Sequence, residues 1–350
     1  MIKNFHFFIC AHGFGHIKRT LGIINQLSFL EDKVYFYIYA KKSHYDKFSL
    51  FMMEWYPAID FKKISFNLNF MQNSPDFINL NQYKYENYIN WLDDLKAIKI
   101  KKNSLIFSDN LIGVLSVFDK TILIGSFLWT EIKSLNMNLE FKKILKFEEK
   151  LLKMYKPKLI GIGIIAMPNL LKLTNFISFP WLCEKNSMKT HYKDLSKILI
   201  SGGGSGKINN QIDKILPTFK KINGVLYVDT IIYDNYGNFS FFEKFDYQES
   251  SFLEIKYVIG RPGIGLILDC LKYSIPLLMI FEKGNEEMIH NSKIISGLGL
   301  GIEINSIIDK SDELIDLLND KKRYNILKKS FKKQVVGGNK LIAEYILNLN

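Results

Sequence analysis

Short apolar runs alternate with longer stretches of helical period along this chain, the pattern of α/β units that assemble parallel sheets. The runs predict strands at 4–11, 33–39, 104–108, 121–125 and 158–165, and a second series at 197–201, 225–228, 257–259 and 276–280. After the first run, Ile17, Leu21, Ile24 and Leu27 recur at helical spacing. The stretch from Met137 to Lys158 reads as an amphipathic, Lys-rich helix, its basic face either plainly solvated or docked on an anionic membrane.

The two series are separated by "SFPWLCEKNSMKTHYKD" (Ser178 to Asp194), polar and interrupted by Pro180, where a linker is expected. This predicts a first domain over 1–185, a second over 195–330, and a helical tail over 331–350 that crosses back to the first. Each half places a Gly-rich turn after its first strand, "AHGFGH" in one and "LISGGGSGK" in the other. The expectation is an α/β chain of two facing Rossmann-like domains, with ligand bound in an interdomain cleft at the carboxyl ends of the strands.

Composition narrows the function classes. Of 350 residues, 47% are hydrophobic and 23% charged, with no polar low-complexity tract, which argues against disorder. The net charge of +12 has two readings: a Lys-rich residue usage throughout, or a preference for anionic partners such as nucleotide diphosphates or a membrane surface. No RNA-binding signature or zinc-finger spacing supports nucleic acid. Cys10, Cys183 and Cys270 are far apart and form no CxxC, which fits a reduced, cytoplasmic setting. The opening "MIKNFHFFIC" reads as a first strand and not as a signal peptide. No apolar run approaches the roughly 18 residues of a membrane span.

The first turn carries candidate chemistry. Gly13 and Gly15 lie between a strand and a helix N-terminus, where backbone N–H groups and the helix dipole favour an anion. His16 falls in the first turn of that helix, in reach of a cleft, and neutral histidine is the usual general base near pH 7. His12 is a second candidate at the same turn, and Arg19 is either solvated or paired with a carboxylate. Further on, Asp109 ends a strand and either caps the next helical segment or faces a ligand. Ser126 and Trp129 occupy the loop after the next strand, and Trp129 is either a core aromatic or a platform for a sugar ring.

In the second half, "SGGGSGKI" fails the phosphate-loop pattern. With Gly206-Lys207 as its Gly-Lys pair, the first position is Ser201 and the last Ile208. Gly202, Gly203, Gly204 and Ser205 still offer N–H groups and a hydroxyl to an anion. The stretch from Tyr257 to Gly301 is richer. Arg261, Gly263, Ile264 and Gly265 turn from a strand into a helix and suit a diphosphate. Asp269, one turn in, can accept from two ribose hydroxyls. A later loop and helix carry Glu286, Glu287 and Asn291.

"GFGHIKR" resembles the N-terminal motif of GT-B glycosyltransferases related to the lipid-II-forming N-acetylglucosaminyltransferase. It is similar above all to a bacterial subgroup that also resembles the N-terminal part of plant arabinokinases. The pseudaminic-acid-pathway UDP-sugar hydrolase has a similar GxGHxxR turn. The resemblance implies a GT-B fold, His16 as base, and acceptor or sugar contacts from Asp109, Ser126 and Trp129. It implies a donor diphosphate beside the glycines of the second domain, with Asp269 on the ribose and Phe245 near the base. Three departures stand out: Leu266 replaces the usual Thr, Asp269 the usual Glu, and Glu286-Glu287 the usual acid-Gln pair.

These readings converge on an inverting glycosyltransferase that uses a nucleotide-diphospho-sugar, expected to be UDP-linked, and a saccharide or lipid-linked acceptor. Surface polysaccharide, capsule or glycolipid synthesis is the expected setting, on or near the cytoplasmic face of the membrane. No cofactor or metal is expected, because no Asp-x-Asp pair stands at a strand end. A nucleotide-sugar hydrolase with the same turn is the alternative, and a non-catalytic nucleotide-sugar-binding protein a second one.

Overall fold

The computed structural model describes residues 3–11, 14–49, 52–75, 83–132, 138–186, 197–202, 208–222 and 226–349. The chain divides into two units. Unit 1 comprises Met1–Leu182 together with Gly337–Asn350, and unit 2 comprises Cys183–Val336.

Unit 1 is built on seven strands: β1 (Lys3–Ile9), β2 (Val34–Tyr39), β3 (Ile64–Phe66), β4 (Leu105–Asp109), β5 (Ile122–Ile124), β6 (Lys158–Ile162) and β7 (Asn175–Phe179). They pair in the order β3-β2-β1-β4-β5-β6-β7, every pair parallel. The central β1 buries Phe5, Phe7, Phe8 and Ile9 on both faces, as a parallel strand covered by helices must. Each such side chain taken from water contributes about 1.5–3 kcal/mol. The helix Phe14–Leu30 comes after β1 and buries Ile17, Leu21, Ile24 and Leu27. The C-terminal helix Gly338–Leu347 packs against it through Ile342, Ala343 and Ile346. At Gly338 a Cβ would stand 2.3 Å from the Pro180 carbonyl oxygen, so only glycine lets the returning chain come this close.

Unit 2 has six strands: β8 (Lys197–Ser201), β9 (Leu226–Val228), β10 (Phe242–Lys244), β11 (Ile255–Gly260), β12 (Leu277–Met279) and β13 (Gly301–Glu303). Their order is β10-β9-β8-β11-β12-β13, again all parallel. Its core gathers Ile200, Ile212, Phe219, Val228, Ile259 and Leu278 around the sheet.

Several expected boundaries move. The strand predicted over 158–165 ends at Ile162, and Gly163–Ile165 form a 3-10 turn closed by the Ala166 N–H on the Gly163 carbonyl. The segment after Asp109 is a 3-10 turn, Ile112–Ser116, and not a longer helix. The Lys-rich helix runs Leu139–Tyr155; it begins where the Asn138 side chain caps the Phe141 N–H and ends at Lys156 in left-handed conformation. Strands β3, β7, β10 and β13 add to those predicted.

Candidate functional site

In a doubly wound sheet a crevice opens where the strand order reverses, at the carboxyl ends of the two strands concerned. In unit 1 that point lies between β1 and β4, and the register sets Ile9 opposite Asp109. In unit 2 it lies between β8 and β11, with Ser201 opposite Gly260. Every described candidate residue of the glycine turns sits at one of these two places.

Asp109 is the last residue of β4, and the chain leaves it sharply because Asn110 adopts a left-handed φ of 57°. The carboxylate is 1% exposed. Its Oδ1 meets His16 Nδ1 at 2.5 Å and also accepts from Arg19 Nη2. Its Oδ2 accepts from Arg19 Nε at 3.0 Å and from Thr20 Oγ1 at 3.2 Å. His16, Arg19 and Thr20 stand three and four residues apart on the 14–30 helix, so one face presents all three to Asp109. Burial alone would push the Asp109 carboxyl up, but the Arg19 guanidinium and then His16 outweigh it and hold it below its ordinary value.

An ionised Asp109 fixes the histidine tautomer. His16 Nδ1 carries its proton toward Oδ1, and Arg19 Nη2, 3.2 Å from Nδ1, is then a second donor packed alongside. The lone pair is left on Nε2, which has no hydrogen-bond partner among the described residues. This is the arrangement in which a carboxylate orients an imidazole as a base. His16 is therefore buried in a built cluster and not loosely displayed. Asp109, a candidate ligand contact in the sequence, stands behind it.

Other candidates of this unit pack nearby. Trp129 is buried, its Nε1 donates to the Asn110 carbonyl at 3.2 Å, and its ring meets Phe127 edge to face at 5.1 Å. The structure thus takes the core reading of Trp129. Ser126 is buried and its carbonyl accepts from the Met167 N–H at 2.9 Å. Trp129 thus holds the loop after β5 against the end of β4, and Ser126 ties it to Met167, just before the helix Pro168–Leu173. Gly15 lies in the first turn of the 14–30 helix; His12 and Gly13 fall outside the described residues.

In unit 2 the helix Ile264–Tyr273 starts at Gly263, with no side chain capping it. The first turn of a helix leaves N–H groups without internal acceptors. A Cβ on Gly263 would meet nothing within 4 Å. Ile264 and Gly265 are its first two residues, and Asp269 lies on its second turn, partly exposed. Arg261 pairs with Glu282 Oε1 at 2.7 Å, and Asn285 Nδ2 donates to the same oxygen at 2.7 Å. An anion at Gly263 therefore meets a guanidinium already shared with a carboxylate. Asn291 is buried and donates to the Pro262 carbonyl at 2.9 Å, which pins the turn in place. Glu286 and Glu287 occupy the first turn of the helix Glu286–Gly297, where the dipole favours negative charge. Phe245 is buried, its N–H donating to the Val228 carbonyl at 2.8 Å.

Asp229, which the sequence pattern did not single out, organises the end of β8. It accepts from the Gly202 N–H at 2.6 Å, the Ser201 hydroxyl at 3.2 Å and the Ile232 N–H at 3.0 Å. An Asp directly before "TIIYDNY" is an N-cap signature that could have marked it. Gly203, Gly204 and Ser205 fall outside the described residues. Among the described residues no group of three His, Cys, Asp or Glu side chains gathers to hold a metal ion, and no helix is long and apolar enough to cross a membrane.

No protein-family profile matches the chain, and no curated protein matches it in sequence. Solved structures do match its fold. Arabidopsis thaliana UGT89C1 complexed with UDP-L-rhamnose is similar at TM-score 0.64 and 13% identity, covering 99% of this chain and 98% of that one. Medicago truncatula UGT71G1 complexed with UDP-glucose gives 0.64 and 13%, over 99% and 97%. CalG4, the calicheamicin glycosyltransferase, gives 0.60 and 14%, over 99% and 98%. The fold is that of the GT-B glycosyltransferases.

Proposed function

We propose that this protein is a glycosyltransferase that moves a sugar from a nucleotide-diphospho-sugar, UDP-linked, to a hydroxyl acceptor with inversion at the anomeric carbon. The observation that carries this reading is the Asp109-oriented His16 at the carboxyl end of β1 and β4. In the proposed reaction His16 Nε2 removes the acceptor hydroxyl proton as that oxygen bonds to the anomeric carbon. The bond from that carbon to the diphosphate breaks, and the diphosphate leaves with the electron pair. Attack from the face opposite the leaving group gives the inversion. The uncapped start of the 264–273 helix and Arg261 would receive the developing negative charge. Asp269 would take the ribose. The similarity to glycosyltransferase structures complexed with UDP-sugars supports the donor class. The "GFGHIKR" resemblance favours a bacterial saccharide or lipid-linked acceptor.

The test is direct. The protein is incubated with a panel of UDP-sugars, with and without saccharide and lipid-linked alcohols, and UDP release and products are measured. Acceptor-dependent transfer is expected, reduced at least about 10²-fold by His16→Ala, with UDP affinity unchanged within about twofold because unit 2 holds the nucleotide. Free sugar released at the same rate without acceptor would make the protein a hydrolase in which His16 activates water. Turnover that survives His16→Ala would remove the proposed base.

A further inference from the structure

Asp109 is held by more than the histidine it orients. An ionised carboxylate offers about four lone-pair sites, and each oxygen here has two donors. His16 Nδ1 and Arg19 Nη2 meet Oδ1, and Arg19 Nε and Thr20 Oγ1 meet Oδ2. The guanidinium thus reaches both oxygens, the two-pronged grip in which Arg fixes a carboxylate. Turning the carboxylate away from His16 would break both of those bonds. Water does not loosen the grip, because the Arg19 side chain is 4% exposed and that of Asp109 1%.

The same contact changes the charge that the imidazole faces. A lone buried carboxylate favours imidazolium, and an imidazolium has no lone pair with which to take a proton. Arg19 sets a positive group on that carboxylate, and its Nη2 lies 3.2 Å from His16 Nδ1 itself. Asp109 and Arg19 together carry no net charge, so a second proton on His16 would leave the buried cluster positive. Among the described residues no other charged side chain pairs with His16. β1, β2 and the C-terminal helix pack on the 14–30 helix, and their titratable groups are engaged elsewhere or face solvent. His6 stacks on Tyr37 and bonds to Tyr39, Lys3 donates to the Leu347 carbonyl, and Tyr35 is exposed. Lys340 and Glu344 pair with each other at 3.9 Å, and Tyr345 meets Phe179.

We propose that Arg19 is a positioning residue: its guanidinium fixes the Asp109 carboxylate and cancels its charge, so that Asp109 orients His16 without drawing a second proton onto it. This rests on His16 acting as the base in the reading above. Nε2 then stays open to the acceptor's proton in solutions more acid than a bare carboxylate–histidine pair would tolerate.

The pH profile of kcat tests it, measured on the wild type, Arg19→Gln and Arg19→Lys with the UDP-sugar and acceptor that the panel above selects. Arg19→Gln removes the charge, and the midpoint of its acid limb is expected to rise by about one pH unit or more. Arg19→Lys keeps the charge, but one ammonium cannot reproduce the fork on both oxygens. Its midpoint should stay within about 0.3 pH unit of the wild type's, while its plateau kcat falls about tenfold or more. An acid limb unmoved in Arg19→Gln, or moved as far in Arg19→Lys, would overturn the proposal and leave the base reading standing. Lowered plateaus with unmoved limbs in both variants are what a purely structural role gives, and they count against it too. Should a melting scan show Arg19→Gln unfolded, Arg19→Lys decides alone, and a displaced limb or a wild-type plateau there overturns it. A wild type that releases UDP from no donor of the panel would sink the transferase reading and this inference together.

Discussion

At the scale of single residues, His16 was legible and its partner was not. A histidine one residue past a glycine turn, at the start of a periodic helix, is a local signal. The Asp109 contact spans 93 positions in sequence and exists only because β1 and β4 pair in a register that sets Ile9 against Asp109. Sequence periodicity names strands without naming neighbours, so Asp109 read equally well as a cap or a ligand contact. Asp109→Asn tests the pairing. An amide in place of the carboxylate can offer its N–H to Nδ1 and favours the wrong tautomer, and it leaves the buried Arg19 guanidinium without its counter-charge. The expected result is a loss of about 10²–10⁴ in kcat with little change in donor KM. A variant with near wild-type kcat would show that the imidazole needs no orienting carboxylate.

At the scale of elements, the additional strands share a position. β3 and β7 are the two edges of one sheet, and β10 and β13 the two edges of the other. Their burial is broken, with exposed or half-exposed positions throughout, because an edge strand has one neighbour and thinner cover. Hydrophobic runs reveal strands buried on both faces and fade where the sheet ends, which is why the parallel interior could be read and its limits could not. The glycines at the strand ends act at this scale too. A Cβ on Gly260 would stand 2.4 Å from the Ser201 carbonyl oxygen and 2.8 Å from Leu266 Cδ2. Gly260→Ala must therefore spread β8 from β11 at the place where the donor is proposed to bind. A stability loss of about 1–3 kcal/mol is expected, with weaker UDP binding, measured by denaturant titration and calorimetry. An alanine variant of wild-type stability would mean the strands have slack that this close approach denies.

At the scale of the whole molecule, two buried titratable groups in unit 1 pull its stability in opposite directions along the pH axis. His6 stacks on Tyr37, shares a hydrogen bond with the Tyr39 hydroxyl at 3.1 Å, and is lowered by burial to about 4. The unfolded chain takes up that proton first, so stability falls as pH drops from about 6.5 to 4. Glu148 lies in the opposite case. Burial raises it to about 8, against the Tyr88 hydroxyl bonded to its Oε1 at 2.9 Å and the Gly113 N–H. The fold holds this carboxyl protonated while the unfolded chain releases its proton, so the stability it contributes is complete below about pH 4.5 and is lost as pH rises toward 8. Unit 1 is thus expected to be most stable in mildly acid solution, with each flank set by a different residue. Glu148→Gln keeps the shape and removes only the alkaline flank. Its stability should match the wild type at pH 5 and exceed it by about 1–3 kcal/mol at pH 8. Melting curves at the two pH values give the comparison, and equal gains at both would assign the effect to packing and not to the proton.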